Sequence, residues 1–314
     1  MKLNLMTIAI LVPVTFCSQA ASDASFFSSD KLSADISLGV LSGKTQERVY
    51  DPDEGGRKIS QLDWKYNNAP IIKGSMSWDV IDRMSLGLSG WTTFASRSGN
   101  MVDTDWTDTS SPNVWTDKSV HPNTRLNYAN EFDLNLTGWL LKEPEYRLGL
   151  MAGYKESRNS FEASGGSYIY SDEELHDTVG NFPSGERLIG YKQRYKVPYV
   201  GLTALWRYEN FDIGGAFKYS CWVKAYDNDE HYARDITYRS HVRNQNFYSI
   251  SANMGYYVTP NARVYLEGTW NRITNKKGDT WLHNRTDNTF ESGKDLAGIE
   301  SYNFVTTAGL KYTF

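Results

Sequence analysis

Apolar and polar residues alternate with a period of two along most of the chain, in stretches of roughly 12–20 residues. That is well beyond the five or six usual for strands of soluble domains. In ISLGV, Ile36, Leu38 and Val40 fall on one side and Ser37 and Gly39 on the other. NEFDLNLTGWL sets Phe132, Leu134 and Leu136 against Glu131, Asp133 and Asn135. YRLGLMAGYKES sets Tyr146, Leu148, Leu150, Ala152 and Tyr154 against Arg147, Gly149 and Lys155. FYSISANMGYYV sets Tyr248, Ile250, Ala252, Met254 and Tyr256 against Ser249, Ser251 and Asn253, and the last stretch carries Phe304, Ala308, Leu310, Tyr312 and Phe314 on one face. Tyr and Trp gather near the ends of these stretches, and the chain stops at Phe314 while still inside one.

Connections between the stretches alternate in length. Short ones lie at 80–84, 141–145, 207–210 and 258–262; long polar ones lie near 47–60, 97–124, 157–187, 225–244 and 273–298. Four short and five long connections join ten strands. An even strand number, short turns at one end and long loops at the other predict an all-β fold: a ten-stranded antiparallel transmembrane β-barrel, apolar face to lipid and polar face inward. Closure leaves no strand edge unpaired in lipid. The strands exceed the roughly 9–11 residues that cross a bilayer, so the barrel is expected to extend above the outer membrane as a rigid rim. A barrel of this size fills with side chains, and Glu131, Asp133, Arg147 and Lys155 are expected to pair inside it.

The N-terminus, MKLNLMTIAILVPVTFCSQA, has a basic start, an apolar run and small residues before a cut after Ala20. It reads as a signal peptide over residues 1–20, with one barrel domain over 21–314. Without the leader, 32 basic residues face 37 acidic ones, which gives no basic surface for nucleic acid. Cys221 is then the one cysteine left, and an intrachain disulfide is excluded. Mean hydropathy is −0.54, and no later segment reaches 18 apolar residues, so a helical membrane protein is excluded. An aromatic content of 14 %, with 21 Tyr, favours the barrel over a soluble exported protein.

Two acidic clusters carry candidate chemistry. In DNDEHY, residues 227–232, period two puts Asp227, Asp229 and His231 on one side and Glu230 on the other. A carboxylate beside an imidazole fixes its tautomer and raises its basicity, half of a general-base device; the alternative is a solvated acidic loop. In GNMVDTDW, Asp103 and Asp105 again share a side. Such a pair repels when both ionise, so one holds a proton or binds water. The five His, at 121, 176, 231, 241 and 283, show no metal-ligand spacing, and H-E-x-x-H and G-x-S-x-G are absent. No metal is expected. Ser119, in the same polar stretch as the Asp pair and near His121, leaves a serine mechanism open.

The segments LSGKTQERVY, GGRKISQLDWK, GNMVDTDW, NYANEFDLN, GGSYIYS, IGYKQR, DNDEHY, GYYVTPNA and TTAGLKYTF together resemble the omptin family of ten-stranded outer-membrane endoproteases, over nearly all of the expected mature chain. The resemblance implies that Asp229 and His231 activate a nucleophilic water, with Asp103 and Asp105 on the facing wall. It implies a pocket for a basic side chain with Glu47 and Asp227 as its acidic floor and Met101 along its side. Asp117 is expected to favour a second basic residue after the cut. It further implies lipopolysaccharide as an activating ligand, its lipid A phosphates held on the outer wall by Tyr154, Glu156, Arg158 and Arg194. Arg243 stands there where a Lys is expected. Cleavage after basic residues, preferably between two, follows, with cationic peptides and host proteins such as plasminogen as substrates. Two departures stand out: Cys221 occupies an expected Gly position, and ARDITYRSH after the Asp–His pair is shorter than in some relatives. An adhesin or structural barrel whose loops bind host surfaces, or a pore, are the competing readings.

Overall fold

The computed structural model of the protein describes residues 32–314. The leader expected at 1–20 lies outside the described residues. The strands, in chain order, are β1 (Leu32–Asp51), β2 (Arg57–Ile81), β3 (Met84–Thr93), β4 (Arg97–Asp105), β5 (Asp117–Lys142), β6 (Tyr146–Tyr170), β7 (Thr178–Tyr208), β8 (Phe211–His231), β9 (Ile236–Tyr257), β10 (Ala262–Ile273), β11 (Lys277–Asn284) and β12 (Thr289–Thr313). β3 and β4 both lie between β2 and β5, and β10 and β11 both lie between β9 and β12. Each of these pairs is one interrupted stave, so twelve segments form ten antiparallel staves. β1 pairs with both β2 and β12, from Ser33↔Thr313 to Val49↔Ala297, and this closes the ring.

Uninterrupted staves run from 20 residues in β1 to 31 in β7, two to three times the bilayer requirement of about 9–11. In the half nearer Leu32 and Phe314, the apolar faces point out: Ile36, Leu38, Leu134, Leu150, Ile250, Met254, Phe304 and Leu310 are all exposed. In water that exposure would be costly; against lipid it is the required state. The polar faces of the same segments meet inside as ion pairs, Lys155–Glu131 at 2.9 Å, Lys218–Asp133 at 2.6 Å and Lys142–Asp79 at 2.8 Å. Removing charges from water is expensive, and opposite charges with further hydrogen bonds offset the cost.

Higher in the barrel the lumen is closed by aromatic packing. Trp64 stacks on Tyr191 with centroids 5.4 Å apart and leans on Phe161 at 5.5 Å, while Tyr66 meets Phe161 at 5.6 Å. Leu41, Leu62, Ile71, Met101 and Leu126 complete this plug. It separates the ion-paired lumen from the far end, where the site lies.

The five long polar connections differ from expectation. Most of their residues are paired strand, and the true turns are short: 52–56, 106–116, 171–177, 232–235 and 285–288. The alternation does not stop at the lipid boundary. Burial over residues 225–231 still alternates strictly between buried and half-buried. Beyond the lipid both faces become polar, which resembles a loop in sequence although the hydrogen-bond ladder continues.

Candidate active site

Three staves bring carboxylates to the inner face above the plug. β8 delivers Asp227, Asp229 and His231, which are 7 %, 2 % and 9 % exposed. β4 delivers Asp103 and Asp105, paired with Leu62 and Ser60 of β2. β1 delivers Glu47, which is 5 % exposed. Period two explains each set, because residues i and i+2 share a strand face. A cleft of about 380 Å³ is lined by Glu47, Asp103, Asp105, Asp229, His231 and Arg234, among others. The two acidic clusters, over a hundred positions apart along the chain, are therefore walls of one cavity.

Within it, His231 Nε2 lies 2.7 Å from Asp229 Oδ2. With Nε2 donating to the carboxylate, Nδ1 keeps its lone pair, and the guanidinium of Arg234 lies 3.1 Å from that nitrogen. Burial disfavours the imidazolium, but the charge of Asp229 and its hydrogen bond outweigh it, and the His231 pKa is raised. Burial, with Asp105 next, pushes Asp103 up to about 8. Burial also raises Asp105, and it raises Glu47 well above the usual carboxylate range, with Asp229, Asp227 and Asp103 adding to the effect. Three buried oxygens of the residues that line the cleft have no hydrogen-bond partner: Glu47 Oε2, Asp103 Oδ1 and Asp229 Oδ1. Buried acceptors are normally satisfied. Three orphans from three staves around one cleft mark a place that a donor or a cation completes.

Asp227 lies one inward position below Asp229 and does not line the open cleft. Its Oδ1 accepts from the Ser240 amide at 2.7 Å and its Oδ2 from the Tyr191 hydroxyl at 3.2 Å. The Tyr191 hydroxyl in turn accepts from Gln193, whose amide oxygen accepts from Thr45. Burial pushes Asp227 up to about 7, against the Ser240 hydrogen bond.

Other expected site residues fall elsewhere. Met101 is fully buried in the aromatic plug and does not line the cleft, because its side chain fills space beside Trp64 and Leu62. Asp117 opposes Asp105 in the β4–β5 ladder but accepts from the Ser171 amide at 3.1 Å, outside the cavity. Ser119 and His121 are 4 % and 1 % exposed and also lie outside it. His121 Nδ1 donates to the carbonyl of Gly165 at 2.6 Å, and its Nε2 accepts from the Ser119 hydroxyl at 2.8 Å. That contact needs Gly165 and Gly166 at positive φ; a Cβ on Gly166 would lie 2.2 Å from the Val120 carbonyl. The pair locks the β5–β6 wall and has no opening toward substrate.

On the outer wall, Glu156 is bridged by Arg158 at 2.6 Å and Arg194 at 2.8 Å, with the Tyr154 hydroxyl at 3.4 Å. Arg243 stands apart on β9, its Nε 3.3 Å from His241 Nδ1 and its backbone opposite Lys224 of β8. Cys221 is a free thiol, half-buried at a bulge between β8 and β9. Sequence patterning missed Arg234, which lies beyond the strand in a three-residue 3-10 turn, Tyr232–Arg234, capped by Asp235 in the left-handed region. Its one available signal was a cation three positions after His231.

Among the described residues no group of His, Cys, Asp and Glu could hold a metal ion. The omptin family model matches residues 28–314. Protease 7 of Escherichia coli O157:H7 is 63 % identical over 317 residues, covering 100 % of both chains. The plasminogen activator of Yersinia pestis is 44 % identical over 317 residues, again covering 100 % of both. The crystal structure of the outer membrane protease OmpT from Escherichia coli superposes with a TM-score of 0.90 at 65 % identity, covering 92 % of this chain and 98 % of that one. With a family match over almost the whole length and a common barrel at that identity, this chain belongs to the omptin family, as an outer-membrane peptidase.

Proposed function

We propose that the peptidase cuts polypeptides after a basic residue, preferably between two, using a water activated by Asp229 and His231. The observation that carries this reading is the cleft itself, in which an Asp–His pair faces two carboxylates across a cavity with orphaned buried oxygens. His231 Nδ1 takes a proton from water, hydroxide adds to the scissile carbonyl, and the imidazolium returns the proton to the leaving amine. Asp229 holds the ring and stabilises its cationic form. Asp103, protonated near neutral pH, donates to the developing oxyanion, and Asp105 keeps that proton in place by repulsion. Arg234 occupies Nδ1; as an exposed side chain on a short turn it swings aside when substrate enters.

Specificity for a cation follows from Glu47 in the cleft wall, with the charge of Asp227 acting from behind it. Both are held above the usual carboxylate range. An entering guanidinium or ammonium lowers both, so substrate binding expels protons. On the outer wall, Arg158, Arg194 and Tyr154, with Arg243 two staves further round on β9, suit the phosphates of lipopolysaccharide, because each guanidinium donates two parallel hydrogen bonds. Lipopolysaccharide in that position acts as the activating ligand. Cationic peptides fit the acidic cleft as substrates. The relative named plasminogen activator supports exposed basic sites in host proteins, plasminogen included, as further substrates.

The test is hydrolysis of a fluorogenic Arg-Arg peptide by refolded protein, with and without lipopolysaccharide. Ser119→Ala is expected to cleave within a few-fold of the wild-type rate, since its hydroxyl is sealed inside the wall. A loss comparable to that of Asp103→Ala would restore the serine mechanism. Glu47→Gln is expected to raise KM for the same peptide by about 10–100-fold, the worth of one hydrogen bond to a charged group. Titrating the uncleaved peptide into His231→Ala protein, in buffers of different ionisation heat, reads the expelled protons. The double variant with Glu47→Gln should release fewer, and equal release would remove Glu47 from the pocket.

A further inference from the structure

The outer wall carries a second glutamate clasped between two arginines, one of which, Arg48, also borders the cleft. Glu300 of β12 points outward, one outward position above Tyr302, where the apolar band begins; Tyr302 and Phe304 are 41 % and 50 % exposed. Glu300 itself is 9 % exposed, because arginines from both neighbouring staves close over it. Arg48 of β1 donates from Nη2 to its Oε2 at 2.8 Å, and Arg272 of β10 donates from Nη2 to its Oε1 at 3.2 Å.

The arrangement matches the one around Glu156. There too the acid sits one outward position above a tyrosine, Tyr154, and is bridged by two arginines, one from the next stave. In each clasp one arginine N–H group is sealed from solvent without a partner: Nη1 of Arg48 and Nε of Arg194. The two clasps lie across the ring from each other, at β12–β1 and at β6–β7. One carboxylate cannot neutralise two guanidiniums, so each clasp keeps a net positive charge at the edge of the hydrocarbon. The Arg272 side chain is 49 % exposed, which leaves part of its fork open to a further acceptor. A phosphate oxygen fits a guanidinium fork in geometry and charge.

We infer that Arg48, Arg272 and Glu300 form a second anion site on the barrel wall, which takes the phosphate of a membrane lipid whose acyl chains lie along Tyr302 and Phe304. A lipid is favoured over free phosphate because the exposed aromatic band starts directly below the clasp. The inference stands on this geometry alone and does not need the proteolytic reading.

Native mass spectrometry of the full-length mature protein in detergent, titrated with diphosphorylated lipid A, tests it. Two lipids should bind. Arg48→Gln with Arg272→Gln should remove one, raising its dissociation constant about tenfold or more. Arg272→Gln alone keeps Glu300 covered by Arg48, so it serves as a variant with a conserved wall, and the slower gel mobility of heated samples reports that each barrel is folded. Arg158→Gln with Arg194→Gln should remove the other lipid. Inorganic phosphate at the lipid's concentration should displace neither. An unchanged lipid count in both Arg272 variants, or displacement of the lipid by inorganic phosphate, would overturn the proposal.

Discussion

Replacing His231 with Ala lowers kcat/KM for an Arg-Arg peptide by about 10²–10⁴-fold, the usual contribution of a positioned general base. The barrel around the substitution keeps its fold. The reason lies in the surroundings of the ring. It is almost fully buried, its Nε2 is fixed by Asp229 at 2.7 Å, and Asp229 is itself 2 % exposed. No other side chain of the cleft offers an unprotonated nitrogen near neutral pH. The same device sets an acid limb on the pH profile. The folded-state pKa of His231 is raised above 6.5, so the ring is protonated and idle at low pH, and kcat/KM climbs as pH passes that raised value. Rates measured from pH 5 to 9 should therefore show an acid limb whose midpoint exceeds 6.5. Equal cleavage by wild-type and His231→Ala protein would remove His231 as the general base.

The lipid-facing staves were the most legible part of the sequence. Each alternating stretch, from Ile36–Leu38 to Leu310–Tyr312, points outward as the pattern required, because a single repulsion from lipid decides every polar position. Above the lipid that constraint disappears. Residues near 157–187 looked like a loop because polar groups occupy both faces, yet most of them continue β6 and β7. Backbone pairing carries no hydropathy signal, and the polarity rule fails where both sides of a wall are wet.

The site was legible to the same extent and for a related reason. Asp227, Asp229 and His231 share a face because they lie on a strand, and Asp103 and Asp105 do likewise. That these two faces look at each other depends on ring closure through β1 and β12, which no local pattern encodes. The burial of Glu47 and the orphaning of its Oε2 also arise from closure. Met101 was assigned to the pocket through family resemblance, but in this chain its side chain belongs to the aromatic plug below. Arg234 was missed because turn residues escape periodicity altogether.

Asp103→Ala should lower the rate by about 10²–10³-fold, the usual loss for one donor to a developing oxyanion, whereas Asp103→Asn, whose amide N–H still donates, should make the barrel harder to unfold. The wild-type carboxyl is pushed up to about 8 from an ordinary 3.8, mainly by burial. Below the ordinary value it is protonated in both the folded and unfolded chain and has no effect on their balance. As pH rises from there, the unfolded chain ionises while the folded one holds its proton, so stability falls until pH passes about 8. Each unit of difference corresponds to about 1.4 kcal/mol, so the penalty near pH 8 is several kcal/mol in order of magnitude. A neutral amide of the same shape does not carry it. The gain in unfolding temperature, followed by the heat-dependent gel shift of the barrel, should be near zero at pH 4 and should grow steadily toward pH 8. A gain independent of pH would mean that the carboxyl's proton is not the cause. A loss of stability would mean that Asp103 makes a structural contact worth more than its desolvation. Either outcome would separate the acid pair from the catalytic role assigned to it, because a carboxyl kept protonated at neutral pH is what allows Asp103 to act as a donor.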